Sequence, residues 1–234
     1  MNLLDFWHGI TGTSAPVPRP PAAPTWDQVI VIPPIAPAGE WPAVSEFAAI
    51  YAQAAIAPAQ ANVVELIVSC IVRRRAAYET VAFATGVPWW WVGCIHNLEA
   101  SLRFDCHLHN GDPLSARTTH VPAGRPSVGQ PPFLWTESAT DALNMRHFPV
   151  GLRWTLQAAL DEAERYNGLG YRNRGVRTPY LWAATTAEQP GRFVADGKFD
   201  PAAVSKQVGV AALLKSLAAR GVVTFDVEAA CLTT

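Results

Sequence analysis

A chain of 234 residues is long enough for one good-sized domain, or one domain with an appendage, and with half its residues hydrophobic and 16% charged it is not a disordered polymer. Eighteen Lys and Arg nearly balance nineteen Asp and Glu, so the chain lacks the basic field that nucleic-acid binding requires. No stretch reaches the roughly eighteen uninterrupted apolar residues of a spanning helix, which excludes stable membrane insertion by that route.

In chain order, residues 1–42 read as a Pro-rich arm. Nine of the twenty prolines lie there, eight of them in VPRPPAAPTW and VIPPIAPAGEWP, where missing N–H donors work against helix and sheet. Trp26, Val29, Ile30, Val31, Ile32 and Trp41 make the arm too apolar for a purely solvated tether, so parts of it are expected to pack. Its start, MNLLDFWHGITGTS, has no basic n-region, no long apolar core and no cleavage site, which predicts a chain without a signal peptide.

Residues 43–234 read as one globular domain, α+β and predominantly helical. Helical spacing runs through SEFAAIYAQAA and then through AQANVVELIVSCIVRRRAAYETVAFATG, with Val64, Ile67, Cys70 and Ile71 on one face and Gly86 as the stop. Pro88 suits the first turn of a new helix, WWWVGCIHNLEASL, which is apolar all round and therefore buried. FDCHLHNGDPLSARTTHVPAGRP carries an Asn-Gly turn between short alternating stretches and predicts a small β-hairpin. Two helices follow, TESATDALNMR capped by Thr136 and VGLRWTLQAALDEAERYNG ended by Gly168. Residues 167–199 read as a long functional loop, and Asp200-Pro201 opens a last helix that stops at Gly221. The four cysteines form no CxxC pair, and buried free thiols fit them better than a disulfide framework.

Glu99 is the first candidate for chemistry. It ends an apolar helix that opens with Trp89, Trp90 and Trp91, and burial there raises a carboxyl pKa, as a general acid for glycoside cleavage needs. An arbitrary helix-end Glu is more often a solvated surface group. The second group of such a reaction would come from Asp105, Asp112, Thr118 or Thr119, with Asp112 first; equally, the Asp of an Asn-Gly-Asp-Pro turn commonly caps its own backbone. Cys106, His107, His109, Asp112 and His120 fall close together, and His-x-His suits a zinc site, but without HExxH or a second ligand cluster the histidines read as hydrogen-bonding groups and no metal or other cofactor is expected. ERYNGLGYRNRGVRTPYLW mixes aromatics and amides with Arg165, Arg172, Arg174 and Arg177, as a wall contacting amphipathic sugar rings would, or as loop packing and solvation would.

Taken together, IHNLEAS, HLHNGDPL, RTTHVPAGRP, ERYNGLGYRNRGVRTPYLW and ADGKFDPAAVSKQVG resemble a phage- and prophage-associated group of lysozyme-like peptidoglycan hydrolases over residues 43–220. The resemblance implies a lysozyme-like fold in which a helix-end Glu faces a small β element across a sugar groove, with Glu99 as the acid cutting the β-1,4 bond between N-acetylmuramic acid and N-acetylglucosamine. It also implies that Asp112 or Thr118 positions water, since five residues separate them as in phage-type lysozymes, although the Glu to Asp interval is longer here. His109, Asn110, Tyr166, Asn167, Tyr171 and Tyr180 would hold substrate. Tyr166-Asn167-Gly168 is also similar to a Tyr-Asn-Gly element of lytic transglycosylases, which often manage with one catalytic Glu, and TTAEQPGRFVADG departs from the Tyr- and Lys-rich segment of similar sequences. The implied partner is the peptidoglycan glycan strand, met by a monomer that waits in a host cytoplasm for release. Two other classes stay open: a non-catalytic glycan-binding or virion structural module, and a zinc-dependent amidase built on His107, His109 and His120.

Overall fold

The computed structural model describes residues 46–195 and 197–225; the arm predicted over residues 1–42 and Cys231 lie outside them. The described chain is mostly helical with one small antiparallel sheet. Its helices are α1 (Glu46–Gln53), α2 (Ala61–Arg73), α3 (Arg75–Thr85), α4 (Trp89–Ala100), α5 (Trp135–Asn144), α6 (Leu156–Asn167), α7 (Pro179–Trp182) and α8 (Val210–Ala219). The sheet pairs β1 (Arg192–Ala195) with β2 (Lys198–Asp200).

Helix α4 is the axis of the core. Every residue from Trp91 to Leu98 is buried, with Ala100, because a helix apolar on all faces must be wrapped on all faces. Helices α2, α3 and α8 pack directly against it. Gly209, just before α8, brings that helix onto the end of α7: its N–H donates to the Ala183 carbonyl at 3.0 Å, and a Cβ there would stand 2.5 Å from the Leu181 carbonyl oxygen.

The long helical run after residue 60 breaks where the sequence shows no Gly or Pro. Arg74, at φ −98° and ψ 11°, separates α2 from α3, so that Tyr78 and Val81 turn inward while Phe83 is left 91% exposed. The buried stripe of α2 is Val64, Val68 and Ile71; Cys70, six residues on from Val64 and about 240° around the helix, is exposed, contrary to the expected buried thiol. Cys94 and Cys106 are buried and free, as expected. Gly86 ends α3 and Pro88 directly precedes α4.

The predicted hairpin at residues 104–126 does not form. Its only ladder element is a bridge between Cys106 and Pro113, and the rest is turns, bends and irregular chain. Pro113, Pro122 and Pro126 offer no N–H to a ladder, and side-chain acceptors take the backbone donors of Asp112, Thr119, His120 and Arg125. The sheet lies instead inside the stretch expected as loop, with Phe193 opposite Phe199 and a bulge between Phe193 and Ala195. Glu137, not Thr136, serves the start of α5, its carboxylate accepting the Leu134 N–H at 3.0 Å. Thr155 caps α6 and Gly168 ends it. The last helix begins at Val210, ten residues after the predicted start, because Asp200 spends its carboxylate on the Ala202 N–H at 2.9 Å and closes a turn.

Gly209→Ala forces a methyl group into a backbone carbonyl, and we expect it to lower the unfolding free energy by about 2–4 kcal/mol. Val150→Ala, at a fully exposed position, should change it by no more than about 0.5 kcal/mol in the same urea titration.

Candidate active site

Glu99 lies in the last turn of α4. The helix stops at Ser101 and Leu102, both left-handed at φ 51° and 58°, with their N–H groups donating to the Asn97 and His96 carbonyls at 3.1 and 3.2 Å. That double reversal is strained for residues with a Cβ, and such strain concentrates at functional sites. His96 anchors the reversal from inside: its Nε2–H donates to the Arg103 carbonyl at 3.1 Å, leaving Nδ1 to accept from the Tyr78 hydroxyl at 3.0 Å. Burial depresses its pKa to about 4, so the ring is neutral.

One side chain from another element holds the Glu99 carboxylate and two more act on it electrostatically. Tyr180 of α7, itself buried, donates its hydroxyl to Oε1 at 2.8 Å. Tyr166, in the last turn of α6, and Arg146, just after α5, lie within electrostatic range, with the Arg146 guanidinium carbon 3.8 Å from the Tyr166 ring centre. Desolvation raises the Glu99 pKa to about 6; the Tyr180 hydrogen bond and the Arg146 charge oppose that rise without cancelling it. The tryptophans that open α4 act at a distance: Trp91 supports Tyr166 at 5.9 Å between ring centres, Trp89 lies under Arg75, and Trp90 meets Phe225.

A groove of about 340 Å³ reaches this cluster through Tyr180, while Glu99, Tyr166 and Arg146 do not line it. Asn167, Tyr171 and Tyr180 line it together with Arg192, Phe193 and Gln207. Gln207 also donates to the carbonyl of Leu98, next to Glu99, at 2.9 Å, and Asn167 donates to the Thr178 hydroxyl at 3.3 Å. The sheet supplies the far side: Tyr171 Oη accepts the Phe193 N–H at 3.1 Å, and Arg174 lies over the Phe199 ring at 4.8 Å. Arg172 is tied to Glu164 and does not line the groove.

The remaining predicted residues have other employment. Asp112 is buried, and its Oδ2 accepts the N–H groups of Thr119 and His120 at 2.7 and 3.0 Å while Oδ1 meets the His120 ring at 2.6 Å. These donors hold its carboxyl well below the usual carboxylate range. Thr118 donates its hydroxyl to the Pro122 carbonyl at 2.5 Å and accepts the Arg125 N–H at 2.9 Å. Asn110 accepts the Asp112 N–H at 3.0 Å and donates to the His120 carbonyl at 3.0 Å. None of the three lines the groove; they hold the loop that packs on α4, where Gly111, at φ +81°, lies so close that a Cβ would come within 3.1 Å of the Glu99 carbonyl oxygen.

His109 belongs to a buried clasp between this loop and α5. Its Nε2 meets Asp141 at 2.9 Å, Arg125 meets the other oxygen of Asp141 at 2.8 Å, and His107 Nδ1 meets the Ser138 hydroxyl at 2.7 Å. Ser138, His109 and Asp141 share the residue types of a nucleophilic triad, but Ser138 is fully buried and its hydroxyl stands 3.5 Å from His109 and nearer His107. The clasp is structural. Among the described residues no group of three His, Cys, Asp or Glu can hold a metal ion, so His107, His109 and His120 do not form the conjectured zinc set.

Sequence reasoning missed Arg146, Arg192, Phe193, Ser205 and Gln207. Arg146 carries no motif, and Gln207 sits where a helix interior was expected.

Two stability measurements separate the roles of the carboxylates. Glu99 has a raised folded pKa, so its ionisation costs stability as pH rises from the unfolded value near 4.5 through about 6; Glu99→Gln should therefore stabilise the fold by about 1–2 kcal/mol above pH 7 and by nothing below pH 4. Asp112 is depressed, so its stabilisation is present above the unfolded carboxyl value and fades as pH falls below it; Asp112→Ala should cost about 1.5–3 kcal/mol at pH 7 and progressively less in acid, read by urea unfolding against pH. Comparison with family models, with curated proteins and with solved structures finds no match to this chain.

Proposed function

We propose that the chain is a peptidoglycan-degrading glycosidase with a lysozyme-like arrangement, in which Glu99 protonates the oxygen of the β-1,4 bond between N-acetylmuramic acid and N-acetylglucosamine. The observation that carries this reading is a partly buried helix-end carboxyl, raised to about 6 and held at one oxygen by Tyr180, beside an open groove lined by aromatic and amide side chains. Tyr180 donates to Oε1, which leaves Oε2 to carry the transferable proton. As the glycosidic bond breaks, that proton passes to the leaving oxygen, and the new carboxylate is stabilised by the Tyr180 hydroxyl and the Arg146 charge. Asn167, Tyr171 and Gln207 line that groove and would contact the sugars.

The saturation of Asp112 by loop donors favours a variant with one catalytic carboxylate, a lytic transglycosylase. There the muramic 6-hydroxyl oxygen bonds to C1 in place of water, its proton returns to Glu99, and the product ends in a 1,6-anhydro ring.

Purified peptidoglycan digested by the wild type should yield new sugar ends, reducing for hydrolysis and anhydro for transglycosylation, and Glu99→Gln should lower the rate by at least about 100-fold while remaining folded. Peptide products, or cleavage that survives the substitution, would discard the assignment; saturable strand binding without any product would leave a glycan-binding module. The acid must be protonated, so kcat/KM should fall as pH rises through about 6. Tyr180→Phe removes a donor that favours the ionised form and should move that alkaline limb to higher pH.

A further inference from the structure

The geometry points to Arg146 as a specificity-determining residue that binds a carboxylate carried by the glycan strand beside Glu99, an inference that rests on the glycan-cleaving reading above. Arg146 follows α5 and is exposed, yet it is held in place, its guanidinium carbon lying 3.8 Å from the centre of the buried Tyr166 ring. Tyr166 is fixed in turn by Trp91 at 5.9 Å between ring centres and by its hydroxyl, which donates to the Leu108 carbonyl at 3.5 Å. The Tyr166 ring takes one flank of the guanidinium and the Tyr166 hydroxyl accepts from it as well, and the N–H groups that remain can grip an anion.

Arg146 has no carboxylate within 4.0 Å among the described residues, whereas Arg75, Arg103, Arg125, Arg172 and Arg220 each have one. It stands near enough to Glu99 for its charge to act on that carboxyl, yet makes no ion pair with it. A preorganised, unpaired cation at the acid's side fits an anionic strand and gives nothing to a neutral one. Lactyl groups of muramic acid and carboxylates of the stem peptide share this chemistry.

Calorimetric titration of the full chain carrying Glu99→Gln, which prevents turnover, decides the matter with three probes. They are a tetrasaccharide of alternating N-acetylglucosamine and N-acetylmuramic acid with free lactyl carboxylates, its methyl ester, and the same strand bearing stem peptides. With Arg146 present, the free acid should bind about tenfold more tightly than the ester. Adding Arg146→Gln should bring the free acid to the affinity of the ester and leave the ester unchanged, while Arg146→Lys should restore part of the difference. A peptide-bearing strand that binds like the free acid and loses the same factor identifies the peptide as the source; one that binds like the ester identifies the lactyl group. Equal weakening of all three probes by Arg146→Gln, no change in any, or no binding to any would overturn the inference. The cleavage reading fails separately, when the wild type leaves peptidoglycan intact or Glu99→Gln still cuts it.

Discussion

The burial of α4 on every side governs this structure. A helix with no polar face cannot rest on a surface, so α2, α3 and α8 close around it and the chain after it must leave abruptly. The exit is the double left-handed turn at Ser101 and Leu102, and Glu99 stands two residues before it, where desolvation by the core is still felt but solvent is within reach. The partial negative charge at a helix C-terminus adds to the cost of ionising a carboxyl there. Position in the helix and chemistry of the side chain are thus one fact: a carboxyl at the end of a buried helix is pushed toward its neutral form.

Around that carboxyl the molecule separates support from contact. Residues 104–126 are scaffolding, since Asp112, Thr118 and Asn110 spend their polar groups on neighbouring backbone, and His107, His109, Ser138 and Asp141 fasten the loop to α5. The opposite wall, from α6 through the small sheet, is where side chains open onto the groove. The groove meets the Glu99 cluster through Tyr180, which lines the one and donates to the other.

What the sequence reveals and conceals follows the range of the forces involved. The helices, Gly86 and Glu99 are legible because hydrophobic periodicity and capping act over a few residues. The Asn-Gly turn misleads because the prolines downstream of it remove the donors that a ladder needs, and because Asp112 and Thr118 compete successfully for those that remain. The break at Arg74 carries no local mark, since it is set by how Tyr78 and Val81 find α4 and α5. Arg146 and Gln207 are invisible for the same reason: each joins the site through a contact with a residue far along the chain, Tyr166 and Leu98.

The scaffold loop has a further consequence. Residues 101–134 contain no helix or strand, so their shape is held by a few side-chain hydrogen bonds and the clasp to α5 rather than by a repeating backbone ladder. Segments secured in this way open as local units, well below the free energy of global unfolding. Amide hydrogen exchange would therefore divide the described chain into a slow core centred on α4 and a fast shell that includes this loop. Because Gly111 rests against the Glu99 carbonyl, each opening of the shell also wets the end of α4, so the dryness on which the raised carboxyl depends is a time-averaged property set by how seldom the loop lets go.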